Sequence, residues 1–228
     1  IAAIHFRVRH FAQGQVEPEV EFAVALRLHV LGEMVDALAD RAGLDEAQEK
    51  ALIQDSIDSI RKATGEAPVG YLAPALSHSE LTVDLWAEAG GTYTCDLFHD
   101  DQPTPVKVRS GKTFVSIPYS LELNDTIAYV VNKIEPRRYG QMTKAAFDRL
   151  YAEGAESGTV MCIPTHNYQV STPHRLKAFE EALEYITGQP DVWVTTGREI
   201  ADYYLKHHYT AAQASIEAVN TATHRSAR

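Results

Sequence analysis

Cysteine is scarce in this chain: Cys95 and Cys162 are the two thiols among 228 residues. Both sit in apolar surroundings and neither falls in a metal-ligand spacing. One bridge is the most they could form, and buried free thiols of a cytoplasmic protein fit that context better. Positive charge is also short. Lys and Arg number 21 against 31 Asp and Glu, a formal net charge of −10, so no basic field exists to displace counterions from a nucleic-acid backbone. Long apolar runs are missing too. Phe22 to Leu31 is broken by Arg27 and is too short to span a bilayer. Ile1 to Val8 carries His5 and Arg7 where a signal peptide would have its apolar core. Neither a nucleic-acid nor a membrane partner is therefore expected. What remains, 45% hydrophobic and 23% charged, is the composition of a globular domain.

The patterned part starts at Leu44. Asp45 and Gln48 form a capping box ahead of Leu52, Ile53, Ile57 and Ile60 at helical spacing, and Gly65 ends that helix. Val69 to Ala73 is an apolar strand stopped by Pro74. Ser77 and Glu80 make a second capping box before a helix carrying Leu81, Leu85, Trp86 and Ala89. Strands follow at Tyr93–Asp96 and Thr113–Ile117, then a helix over Met142–Tyr151 and a strand at Thr159–Ile163. Thr172 and Pro173 open another helix, Gly188 closes it, and Val192–Thr195 and Arg198–Lys206 are a last strand and helix. Alternation of apolar strands with amphipathic helices predicts an α/β fold with a mainly parallel sheet or barrel and helices outside.

Ligands of such folds bind where strands end. Those ends are rich in reactive side chains. Pro74 follows the first strand; Asp96, His99, Asp100 and Asp101 the second; Pro118, Tyr119, Glu122, Asn124 and Asp125 the third; His166 the fourth. Acids, amides and a histidine at one face predict a hydrolytic site.

At these positions the sequence resembles the polysaccharide deacetylase (NodB-homology) superfamily, and its allantoinase-like branch in particular. The resemblance covers Leu44 to Tyr204. It rests on Thr64 through Pro74, Asp96-Leu97-Phe98-His99-Asp100-Asp101-Gln102-Pro103, Ile117 through Asp125, His166-Asn167-Tyr168, Pro173-His174-Arg175-Leu176 and Trp193 through Ala201, in that order and spacing. It implies a distorted (β/α) barrel of the NodB-homology type, incomplete at the amino end. It implies hydrolysis of carbon–nitrogen bonds other than peptide bonds, in N-acetylated sugars or cyclic ureides such as allantoin. The rival expectation is a non-catalytic binding protein of the same fold. The resemblance also implies a divalent metal such as zinc, held by an early Asp and two histidines. That ligand motif is not found; His29 and Glu33, four residues apart before Leu44, are the nearest candidates and a weak pair.

Three segments result: 1–43, divergent or truncated; 44–208, the NodB-homology domain; and 209–228, a carboxy-terminal tail. A shifted reading frame or a truncation before Leu44 is the expectation for the first, and weak or absent activity for the chain as given. Within the domain His166, Asp101 and Asp96 are the expected catalytic residues, His166 as proton donor to the leaving nitrogen. Asp100, Tyr119, Asn124, Asp125 and Pro74 are the expected substrate-binding residues, the substrate being a small molecule or a glycan. A homo-oligomer is compatible with the sequence. His207 and His208 are expected at the surface, and Trp86 and Trp193 in the core.

Overall fold

The computed structural model describes residues 2–8 as backbone, and residues 43–73, 76–154 and 156–226. Two compact units emerge. Within the described residues one contains 2–8, 97–102 and 118–197, the other 43–73, 76–96, 103–117 and 198–226.

The second unit begins with helix α1 (Glu46–Thr64), and its capping box is formed in full. The Gln48 N–H donates to Asp45 Oδ1 and the Asp45 N–H donates to Gln48 Oε1, both at 2.9 Å. Gly65 takes φ 83° at the C-cap, a left-handed conformation that glycine enters without a Cβ penalty. Ile53 and Ile57 of α1 bury against Tyr71, Leu85, Trp86 and Phe114. Strands β2 (Gly70–Tyr71), β3 (Tyr93–Thr94) and β5 (Val115–Ser116) are parallel neighbours, and β4 (Thr104–Pro105) pairs antiparallel with β5 at the edge. Helix α2 spans Thr82–Glu88, so the expected box at Ser77 and Glu80 is not its start. The N-cap position is Leu81, without a side-chain cap, and Ser79 organises the turn before it: its Oγ accepts the Leu81 N–H at 3.0 Å, and its own N–H donates to Thr82 Oγ1 at 2.9 Å. The hydroxyls of Ser79 and Thr82 in turn donate to the buried Glu49 carboxylate, which repays the cost of burying that charge.

The first unit is organised by a three-stranded sheet in the order β6 (Val160–Thr165), β1 (Ala2–Val8), β7 (Val192–Thr195). The central strand runs antiparallel to both neighbours, in register from Ala2↔Thr165 to Arg7↔Val160 and from His5↔Thr195 to Val8↔Val192. The expected parallel sheet thus holds for β2, β3 and β5, while β6 and β7 are separated by a strand that the sequence did not announce. All six residues of β6 are buried, so its backbone groups need partners within the protein, and β1 supplies them. A π-helical turn at Ile127–Val131 precedes α3 (Pro136–Glu153), which has Pro136 in its first turn. Helix α4 (Asn167–Val170) is a single turn, followed by α5 (Pro173–Thr187), α6 (Gly197–His207) and α7 (Tyr209–Ser226). Tyr139, Phe147, Met161, Ile163, Phe179 and Ile186 make the core of the first unit. The mixed α/β class read from the sequence is the class observed.

Helices α3 and α5 meet at Gly140, where an added Cβ would lie 2.7 Å from the Ala178 carbonyl oxygen. Backbone cannot rotate away as a side chain does. Gly140→Ala is therefore expected to destabilise by about 1–3 kcal/mol through helix separation, despite alanine's better helix propensity. Urea denaturation of the two proteins checks the sign: a stabilised variant would show that the helices are free to separate.

Candidate active site

His166 lies one residue beyond β6. Its backbone is still extended (φ −110°, ψ 124°), and it serves as the N-cap position of α4. The Asp125 carboxylate grips it twice: Oδ2 accepts the His166 backbone N–H at 2.7 Å, and Oδ1 stands 2.6 Å from Nδ1. Asp125 is wholly buried, whereas 11% of the His166 side chain remains open. An ionised carboxylate only accepts, so Nδ1 carries a proton and Nε2 is the nitrogen left for chemistry.

The loop that presents Asp125 is clasped by Asn124. Its Oδ1 accepts the N–H groups of Thr126 at 2.9 Å and Ile127 at 3.2 Å, and its Nδ2 donates to the Tyr119 hydroxyl at 2.7 Å. The oxygen end of the amide thus builds the turn that holds Asp125, while one of its two Nδ2 hydrogens goes to Tyr119. Thr126 was not singled out by sequence reasoning, yet its Oγ1 lies 3.0 Å from His166 Nδ1. The Asn-Asp-Thr order ahead of a helical turn was the available signal. Arg175, also not singled out as a site residue, places its guanidinium 4.3 Å from the centre of the Tyr129 ring and donates to Gln169 Oε1 at 2.7 Å. Burial pushes the Tyr129 phenol up to about 12. The Tyr168 ring, largely exposed, tilts over His166 at 5.4 Å between centroids.

Asp100 and Asp101 are not beside this pair. The Asp101 carbonyl accepts the Val160 N–H at 2.8 Å, at the far end of β6. Six residues of extended chain separate Val160 from His166, roughly 20 Å at ~3.3 Å per residue. The expectation that Asp101 and His166 emerge together is corrected accordingly. Both aspartates line an open cleft of about 460 Å³ with Phe98, His99, Tyr119 and Glu122. Partial burial raises the Asp101 carboxyl, and the neighbouring carboxylates of Asp100, Glu153 and Glu122 raise it further. Asp100 Oδ1 accepts the Gln102 N–H at 3.2 Å, a turn-forming contact.

Asp96 belongs to the second unit and is 2% exposed. Its carboxylate accepts the Ala73 N–H at 2.7 Å and the Thr94 hydroxyl at 3.1 Å. Burial nevertheless pushes it up to about 6, against the lowering effects of the Ala73 N–H, nearby His78 and Thr94. A carboxyl that holds its proton more tightly when folded makes the protein less stable as pH rises from about 4 to about 6, with the deficit constant above that. Asp96→Asn removes the charge and keeps an acceptor for Ala73. The variant is expected to exceed the parent in unfolding free energy at pH 7.5, by on the order of 3 kcal/mol at most, read as a higher melting temperature, and to match it near pH 4. An equal gap at both pH values would show that Asp96 is not the group responsible.

Pro74, His29 and Glu33 lie outside the described residues. His207 and His208 are exposed, Trp86 is buried and Trp193 half-buried. Cys95 and Cys162 are buried and not joined in a disulfide, and burial pushes the Cys162 thiol up to about 12. Among the described residues no three His, Cys, Asp or Glu side chains are grouped to hold a metal ion. The implied metal thus lacks a ligand set within them. No helix among the described residues is long and apolar enough to cross a membrane.

No protein-family model matches the chain. Curated and solved proteins do. The peptidoglycan deacetylase of Helicobacter pylori (strain ATCC 700392 / 26695) is 28% identical over 193 residues, covering 71% of this chain and 65% of that protein. The structure of Puue allantoinase is 32% identical with a TM-score of 0.67, covering 72% of this chain and 55% of the other. A probable polysaccharide deacetylase from Pseudomonas aeruginosa PAO1 is 30% identical with a TM-score of 0.66, at the same two coverages. The chain therefore spans just over half the length of these solved relatives and under two thirds of the curated one.

Proposed function

The chain belongs to the polysaccharide deacetylase (NodB-homology) superfamily, and on that basis we propose that it hydrolyses a carbon–nitrogen bond other than a peptide bond, in an N-acetylated sugar or a cyclic ureide. The observation that carries the reading is the double grip of buried Asp125 on His166. Water adds through oxygen to the carbonyl carbon, giving a tetrahedral species. When its C–O double bond re-forms, the C–N bond breaks and the bonding pair goes to nitrogen. An amide anion is too basic to depart, so nitrogen must gain a proton as it leaves. The His166 imidazolium gives it from Nε2, while Asp125 holds the Nδ1 proton and faces the positive charge until the transfer. The added water loses one proton to bulk water, so the products are a carboxylic acid and the released nitrogen as N–H, and the imidazole, left neutral, takes a proton back from bulk water before the next turnover. A cytoplasmic setting is part of the proposal; two buried thiols that form no disulfide are consistent with it.

The deciding assay is acetate release from a chito-oligosaccharide and ring opening of allantoin, by the chain as given and by His166→Ala. Turnover of either compound that disappears in the variant supports the reading. Equal rates in the two proteins, or none in the parent on both compounds, remove it.

A further inference from the structure

We propose that Thr126 is a positioning residue for the His166 imidazole, a role that rests on the reading of His166 as the proton donor. Nδ1 has two oxygen neighbours from consecutive residues of one loop: Asp125 Oδ1 at 2.6 Å and Thr126 Oγ1 at 3.0 Å. Asp125 alone holds the ring at a single atom, because its second oxygen is taken by the His166 backbone. A ring held at one atom can still swing about its bond to the chain. Two acceptors flanking the same N–H restrict that swing, and so fix the direction in which Nε2 points.

Thr126 is itself well placed for this. Its backbone N–H is held by Asn124 Oδ1, and Asn124 is anchored on Tyr119. Its β-branched side chain has few rotamers to lose. The chain of contacts Tyr119, Asn124, Thr126, His166 thus gives two residues expected to bind substrate a different task, setting the aim of the proton donor. The hydroxyl touches no reacting atom, so it acts through His166.

The test compares Thr126→Val, which keeps the shape and removes the oxygen, with Thr126→Ser, which keeps the oxygen. On whichever of chito-oligosaccharide or allantoin the parent turns over, Thr126→Val should lower kcat about five- to tenfold, the worth of roughly one hydrogen bond. KM should move less than twofold, and Thr126→Ser should recover most of the rate. Nitrogen-15 NMR of the His166 ring gives a readout independent of turnover: the parent should hold its proton on Nδ1 in the neutral form, and Thr126→Val should show a second tautomer or a broadened signal. A Val variant with unchanged kcat and an unchanged ring spectrum overturns the assignment, as does a Ser variant no better than Val. If His166→Ala leaves turnover intact while Thr126→Val still alters the ring spectrum, the function is wrong and the contact stands.

Discussion

His166→Ala is expected to lower kcat by ~10²–10⁴-fold, the usual contribution of a positioned general acid and about 3–5 kcal/mol of barrier. Fold and chemistry must be separated in this variant. Alanine leaves Asp125 Oδ1 without its partner inside the protein, and an orphaned buried acceptor costs about 1–3 kcal/mol or more when charged. Some loss of melting temperature will therefore accompany the loss of rate. His166→Asn resolves the two effects: its amide N–H can still reach toward Asp125, but an amide cannot deliver a proton near neutral pH. The expected pattern is equal loss of kcat in both variants with a smaller loss of melting temperature in Asn. His207→Ala and His208→Ala, at exposed positions at the end of α6 and in the turn after it, should alter neither quantity. A rate that follows melting temperature across the series would make His166 a structural residue.

Asp125→Asn should lower kcat by an amount on the order of 10²–10⁴ with a much smaller effect on stability. The Asn oxygen can keep the His166 backbone N–H that Asp125 now accepts at 2.7 Å. The amide nitrogen then faces Nδ1 as a donor, so the neutral ring must carry its proton on Nε2 instead. An imidazolium in that setting points N–H at N–H and has lost its counter-charge, which makes the proton-donating state unfavourable. Combining Asp125→Asn with His166→Ala should cost little more than the worse single change, because the two residues act as a unit. Additive losses in the double variant would mean that Asp125 and His166 serve separate purposes.

Much of this architecture was legible in the residues. The capping box at Asp45 and Gln48, the stop at Gly65 and the helix start at Pro173 were readable because each depends on groups three or four positions apart, where local geometry decides the outcome. So was the strand leading to His166, since six consecutive buried positions leave an apolar run in the sequence. Other features depended on partners far along the chain. Asp125 and His166 are 41 residues apart, and nothing in either neighbourhood requires the other. Asp101 and His166 flank the same strand and looked alike as strand-end residues, yet Asp101 pairs with the beginning of β6 and His166 follows its end. The insertion of β1 between β6 and β7 was equally hidden, because an apolar strand carries the same period whichever way its neighbours run. Local periodicity and capping are written in adjacent residues; which two carboxylates and histidines meet is set by how strands stack, and that is a property of the folded chain.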